Sequence, residues 1–88
     1  MRVNLSPRFK RAYKKLPRHI QEDFKETITV FIGNPRHPSL KTHKLKGTYQ
    51  ECLAFRLAEG YRVLFEFVAP NEANLLDVGS HDIYKNRY

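Results

Sequence analysis

Two hydrophobic periods divide the chain. In the first half, apolar residues recur at helical spacing: Phe9, Ala12, Tyr13 and Leu16 stand at i, i+3, i+4 and i+7. A second stripe follows in Ile20, Phe24, Ile28, Phe31 and Ile32. Ser6-Pro7 is a helix start, because a serine hydroxyl accepts from an unpaired N–H and proline gives up a donor that would have no partner there. Pro17 ends the first helix and can open the next, and Gly33 is a natural terminator. Glu22, Asp23 and Glu26 are expected towards the positive end of the second helix.

From His43 the period changes to two. Leu53, Phe55 and Leu57 face one way, and Cys52, Ala54 and Arg56 the other. After a turn at Glu59-Gly60, Tyr61, Val63, Phe65 and Phe67 oppose Arg62, Leu64 and Glu66. Pro35 and Pro38 mark a loop over 34–42, Pro70-Asn71-Glu72 a turn, and Leu75 to Val78 a last strand. Arg2 to Leu5 is an edge strand at the front. The order β-α-α-β-β-β-β predicts an α+β fold, with an N-terminal strand and a helical hairpin packed on a mainly antiparallel sheet of four to five strands.

Composition narrows the class. Eighty-eight residues suit a single domain over 1–88, and 41% apolar with 28% charged residues excludes a disordered chain. The lone Cys52 excludes an internal disulfide and fits a reducing compartment. No apolar run approaches the ~20 residues that span a bilayer, and Met1-Arg2-Val3-Asn4 starts a strand and not a signal segment. A soluble, cytoplasmic protein with no membrane partner is expected. The net charge of +7 is concentrated in residues 1–50, where 12 Lys/Arg face 3 Asp/Glu; residues 51–88 hold 4 against 6. Such a chain seeks nucleic acid, a ribosome or an acidic protein.

The candidate chemistry lies in the second half. Arg62 interrupts an apolar strand, and Arg56 should face the same way across the hairpin, so that two guanidinium groups can hold one phosphate. The alternative for Arg62 is an exposed strand position or an ion pair with Glu66, two residues along. Lys44 and Lys46 share a strand face and would widen the cationic patch, with His43 beside them. His81 has a side chain whose ordinary pKa, ~6.5, suits proton transfer at neutral pH, and Tyr84 is a proton donor, a stacking platform or a packing residue. His19 and His37 have no evident partner. Four scattered histidines and one cysteine show no metal-ligand spacing, so neither a metal nor a cofactor is expected.

These motifs together resemble the RelE/ParE superfamily, the toxins of type II toxin–antitoxin systems. The likeness rests on Phe9 to Pro17, Asn34-Pro35, His43-Lys44-Leu45-Lys46-Gly47, Phe55-Arg56-Leu57, Gly60-Tyr61-Arg62-Val63-Leu64-Phe65 and Val78-Gly79-Ser80-His81-Asp82-Ile83-Tyr84. It implies a domain of the RelE-like mRNA interferase branch, an endoribonuclease that cleaves mRNA on the ribosome and is silenced by a cognate antitoxin. Arg62 resembles that branch's phosphate-binding arginine, Arg56 its basic residue on the preceding strand, and His81 and Tyr84 its C-terminal acid–base positions. Some nucleases carry a further lysine where Ala54 stands. That departure keeps open a ParE-like inhibitor of DNA gyrase, or a binding protein without nuclease activity.

Overall fold

The computed structural model describes residues 1–44 and 52–80. Its elements are β1 (Arg2–Leu5), α1 (Pro7–Lys14), α2 (Arg18–Gly33), β2 (His43–Lys44), β3 (Leu53–Arg56), β4 (Arg62–Ala69) and β5 (Glu72–Gly79). Short 3₁₀ turns at Pro38–Leu40 and Ala58–Gly60 lead into β2 and join β3 to β4. The five strands form one mixed sheet in the order β1-β5-β4-β3-β2. Only β1 and β5 run parallel, with Val3 beside Ala73; the other neighbours are antiparallel. The α+β architecture expected from the sequence is the one observed.

Local chemistry explains the helix ends. Ser6 Oγ accepts from Phe9 N at 3.0 Å and donates to Leu76 O at 3.0 Å, so one hydroxyl caps α1 and ties it to β5. Tyr13 and Gln21 close the helical hairpin reciprocally: the tyrosine hydroxyl donates to Gln21 O at 3.2 Å, and the Gln21 amide donates to Tyr13 O at 2.9 Å. α2 begins at Arg18, which leaves Glu22, Asp23 and Glu26 beyond the first turn, where the helix dipole has faded. They serve otherwise. Glu22 accepts from Lys25 Nζ at 3.0 Å, and that ammonium holds its carboxyl below the usual carboxylate value.

The helices cover one sheet face. Phe9, Ile20, Phe31, Phe55, Val63, Phe65 and Leu75 are buried there. Phe31 is the hub: its ring centroid lies 4.9 Å from Phe55 in a stacked arrangement and 4.9 Å from Phe65 edge-on. Ile32, placed in the apolar stripe by its spacing, is instead 40% exposed, because its neighbour Phe31 takes the core-facing position. β5 is longer than the sequence suggests. Leu76 and Asp77 together oppose Leu64, a bulge that shifts the register between Leu64 and Phe65.

Candidate functional site

The β3–β4 hairpin builds the site. Arg56 and Arg62 are direct cross-strand partners, and Arg62 is in turn opposite Gly79 on β5. Directly opposed residues project to the same side with Cα atoms roughly 4.5–5.5 Å apart. Because Phe55 and Val63 face the core, both arginines project from the other face, as the alternation requires. Arg56 is exposed; Arg62 is half-buried, with its Nε withdrawn from solvent. A stem held by packing has less freedom to lose when the guanidinium meets an anion.

The row behind the arginines is closed. Ala54, Leu64 and Asp77 lie side by side across β3, β4 and β5, each at most 1% exposed. Asp77 Oδ1 accepts from Val78 N at 2.9 Å. This buried carboxylate, diagonal to Arg62 in the register, is a site-face residue that the sequence analysis missed. A bulge conceals it: with Leu76 and Asp77 sharing one position, strict alternation does not reveal which of them faces the arginines. Glu66 is occupied elsewhere. It accepts from Asn74 Nδ2 at 3.5 Å, and Asn4 Nδ2 donates to Asn74 Oδ1 at 2.9 Å and Glu72 Oε2 at 2.8 Å, a polar ladder over β4, β5 and β1.

α2 grips the turn that joins the arginines. Asp23 Oδ2 accepts from Ala58 N at 2.8 Å, and His19 Nε2 lies 2.8 Å from Glu59 Oε2. Positions 19 and 23 are one helical turn apart and so share a face. Glu59 and Gly60 both take left-handed backbone, φ 58° and 79°, and Leu57 N closes the hairpin on Tyr61 O at 2.8 Å. His19, without evident partner in the sequence, therefore has one. So does His37, whose Nδ1 accepts from Ser39 N at 3.1 Å.

The remaining sequence candidates separate. His43 is opposite Ala54 and so belongs to the arginine face; it is exposed, with Nδ1 3.3 Å from Lys41 O. Lys44 is opposite Leu53 and belongs to the core side, at the sheet edge, so it does not widen the arginine patch. Its spacing from Arg56 hides this because the β2–β3 register, and not period two along the chain, decides its side. Lys46, His81 and Tyr84 lie outside the described residues; β5 ends at Gly79, beside Arg62. Among the described residues, no three His, Cys, Asp or Glu side chains gather to hold a metal ion. No described helix is long and apolar enough to cross a membrane.

A two-helix layer on one face of a five-stranded sheet, with cross-strand arginines on the other, defines a small α+β scaffold with a cationic site. The family model for ParE-like toxins of type II bacterial toxin–antitoxin systems matches residues 3–87. The chain belongs to that family. Solved structures share its fold. YafQ from E. coli BL21(DE3) superposes with a TM-score of 0.78 at 15% identity, over 96% of this chain and 98% of that one. The E. coli RelBE toxin–antitoxin complex gives 0.69 at 21% identity, over 90% and 94%. The YoeB–YefM complex from Staphylococcus aureus gives 0.73 at 16% identity, over 92% and 97%. No curated protein matches the chain in sequence.

Proposed function

We propose that the chain, acting as one toxin domain over residues 1–88, is an endoribonuclease that cleaves mRNA on the ribosome and so inhibits translation in the cytoplasm. The observation that carries this reading is the cross-strand pair Arg56–Arg62, on the face away from the core, with the half-buried member held in place. RNA brings its own nucleophile. The 2′-hydroxyl attacks the adjacent phosphorus while its proton leaves to a base; the P–O5′ bond breaks, and the departing oxygen takes a proton. The products are a 2′,3′-cyclic phosphate and a 5′-hydroxyl.

Two guanidinium groups at the phosphate offset the charge that grows in the transition state, the kind of fixed electrostatic contact that often contributes most. His81 is assigned one proton transfer, and Tyr84 orients a base or protonates the leaving oxygen. Lys44, Lys46 and His43 bind flanking RNA. The resemblance drawn from the sequence supports these roles, and the chain's membership of a toxin family supports a cognate antitoxin as its partner. The RelBE structure, whose fold this chain shares, holds such a toxin with its antitoxin.

A specific observation favours a second reading. Ala54, where some nucleases carry lysine, is 0% exposed between His43 and Leu64. A member without that lysine can be a gyrase inhibitor or a binding protein that cuts nothing. Brief induction in cells separates the readings. The nuclease halts protein synthesis with plasmid supercoiling intact; a gyrase inhibitor relaxes plasmids first and leaves mRNA whole.

A further inference from the structure

A groove at the other end of the sheet from the arginine pair combines an exposed aromatic ring with cations. Phe67 is 39% exposed and, with half-buried Leu53 and Pro35, forms an apolar floor. Arg36, Lys41 and Lys44 rim it, enclosing a cavity of about 680 Å³. Among the described residues, none of these three cations is in an ion pair, and no acid lines the groove. One face of Phe67 is supported, since its ring stacks on Phe31 at 6.4 Å and meets Phe65 edge-on at 5.4 Å.

The groove is connected to the arginines. Lys41 also lines a second cleft, of about 460 Å³, shared with Arg56, Ala58, Asp23 and Glu26. Asp23 is taken up by Ala58 N, which leaves Glu26 as the acid facing this cleft among the described residues. Lys41 itself adopts left-handed backbone at φ 49°, held by its N–H donating to Pro38 O at 3.1 Å. A line of positive side chains thus runs from Arg56 through Lys41 to Lys44 and Arg36, and ends on an aromatic ring. Phe67 and Lys44 lie on the core side of the sheet and the arginines project from the other, so this line passes round the edge of β3, where Arg56 and Lys41 share the second cleft.

We infer that this groove is a second subsite for single-stranded RNA, in which a base stacks on Phe67 while Lys41, Lys44 and Arg36 hold the phosphates leading back to Arg56. The inference rests on the reading of the chain as an RNA-cleaving toxin. Stacking on an aromatic ring tolerates any base, and cations that follow the backbone read no sequence. The subsite therefore adds affinity and direction to the strand without adding base preference. An acidic peptide would also meet cations here. A cationic track that reaches Arg56 through Lys41 favours a strand that occupies both clefts.

Binding of 2′-O-methyl RNA, which lacks the nucleophile and cannot be cut, tests the subsite on the purified chain. A labelled dodecanucleotide is compared with a dinucleotide. Phe67→Ala should weaken the long strand about tenfold, within the range for loss of one stacked base, and leave the dinucleotide unchanged. Phe67→Tyr should restore wild-type binding, and Phe67→Leu, which keeps the apolar packing, should not. Joint Lys41→Ala and Lys44→Ala should lower the salt slope of long-strand binding by about 1.4, the single-strand value for two phosphate contacts. A folded Phe67→Leu protein that binds the long strand as wild type does would overturn the subsite. If that variant binds RNA normally but escapes neutralisation by the antitoxin, the groove belongs to the antitoxin and the RNA assignment fails. If the wild-type chain binds neither RNA at low salt, the nuclease reading itself falls.

Discussion

Arg56 and Arg62 are cross-strand partners yet differ in burial, and that difference sets how their substitutions should behave. Arg62→Ala removes the contact with least freedom to lose and should slow RNA cleavage by ~10²–10³, as for loss of one preorganised charge contact. Arg56, which is exposed, should cost less when replaced, in the same assay. Arg62→Ala should retain the wild-type circular dichroism spectrum at the assay temperature, which separates lost chemistry from lost fold. His81→Ala should slow cleavage by ~10²–10⁴, the usual span for a general acid or base, and flatten the pH–rate profile near neutrality. At this scale the sequence was most legible where alternation is strict. The shared face of Arg56 and Arg62 follows from period two alone, whereas Asp77 is hidden by a bulge and the side of Lys44 by a β2–β3 register that the chain's own alternation does not give.

The elements position the arginines through a turn that two α2 side chains hold. Asp23 binds the Ala58 N–H, and His19 meets Glu59; both contacts link residues 35 or 40 positions apart. No local pattern predicts such pairs, because sequence periodicity reports which face a residue takes and not what that face meets. The two contacts should not weigh equally. The His19–Glu59 side chains are each 60% exposed, and a pair so solvated contributes at most ~1 kcal/mol. Asp23→Ala removes the charged acceptor of an exposed backbone N–H that water can then take up, so it should cost about 0.5–1.5 kcal/mol in denaturant unfolding, with a larger drop in kcat than in RNA affinity as the turn loosens. Ser6→Ala, by contrast, removes a helix cap and should lower stability by ~1 kcal/mol with cleavage unchanged. The helix starts and the succession of elements along the chain were legible because caps, prolines and periodicity are local signals; the order of strands in the sheet is not a local property. Ile32, read as core from its spacing, lies beyond the edge of a stripe that Phe31 already fills.

At the scale of the whole molecule, charge and fold act together. The +7 charge sits mostly on the helical half and the β2 side, while the sheet supplies the arginine pair. A chain so charged should meet an acidic antitoxin segment at a rate that falls with added salt. Expression alone should arrest growth, and co-expression with the adjacent gene product should restore it; arrest that no neighbouring product relieves would argue against a toxin–antitoxin pair. The most direct test of the central claim is the chemistry of the cut ends. RNA is recovered after brief induction of the wild-type and Arg62→Ala chains, and both termini at each new break are characterised. The account predicts wild-type fragments with 2′,3′-cyclic phosphate and 5′-hydroxyl ends, and few or none with the folded Arg62→Ala chain. Fragments bearing 5′-phosphates, or equal cleavage by the two proteins, would contradict it.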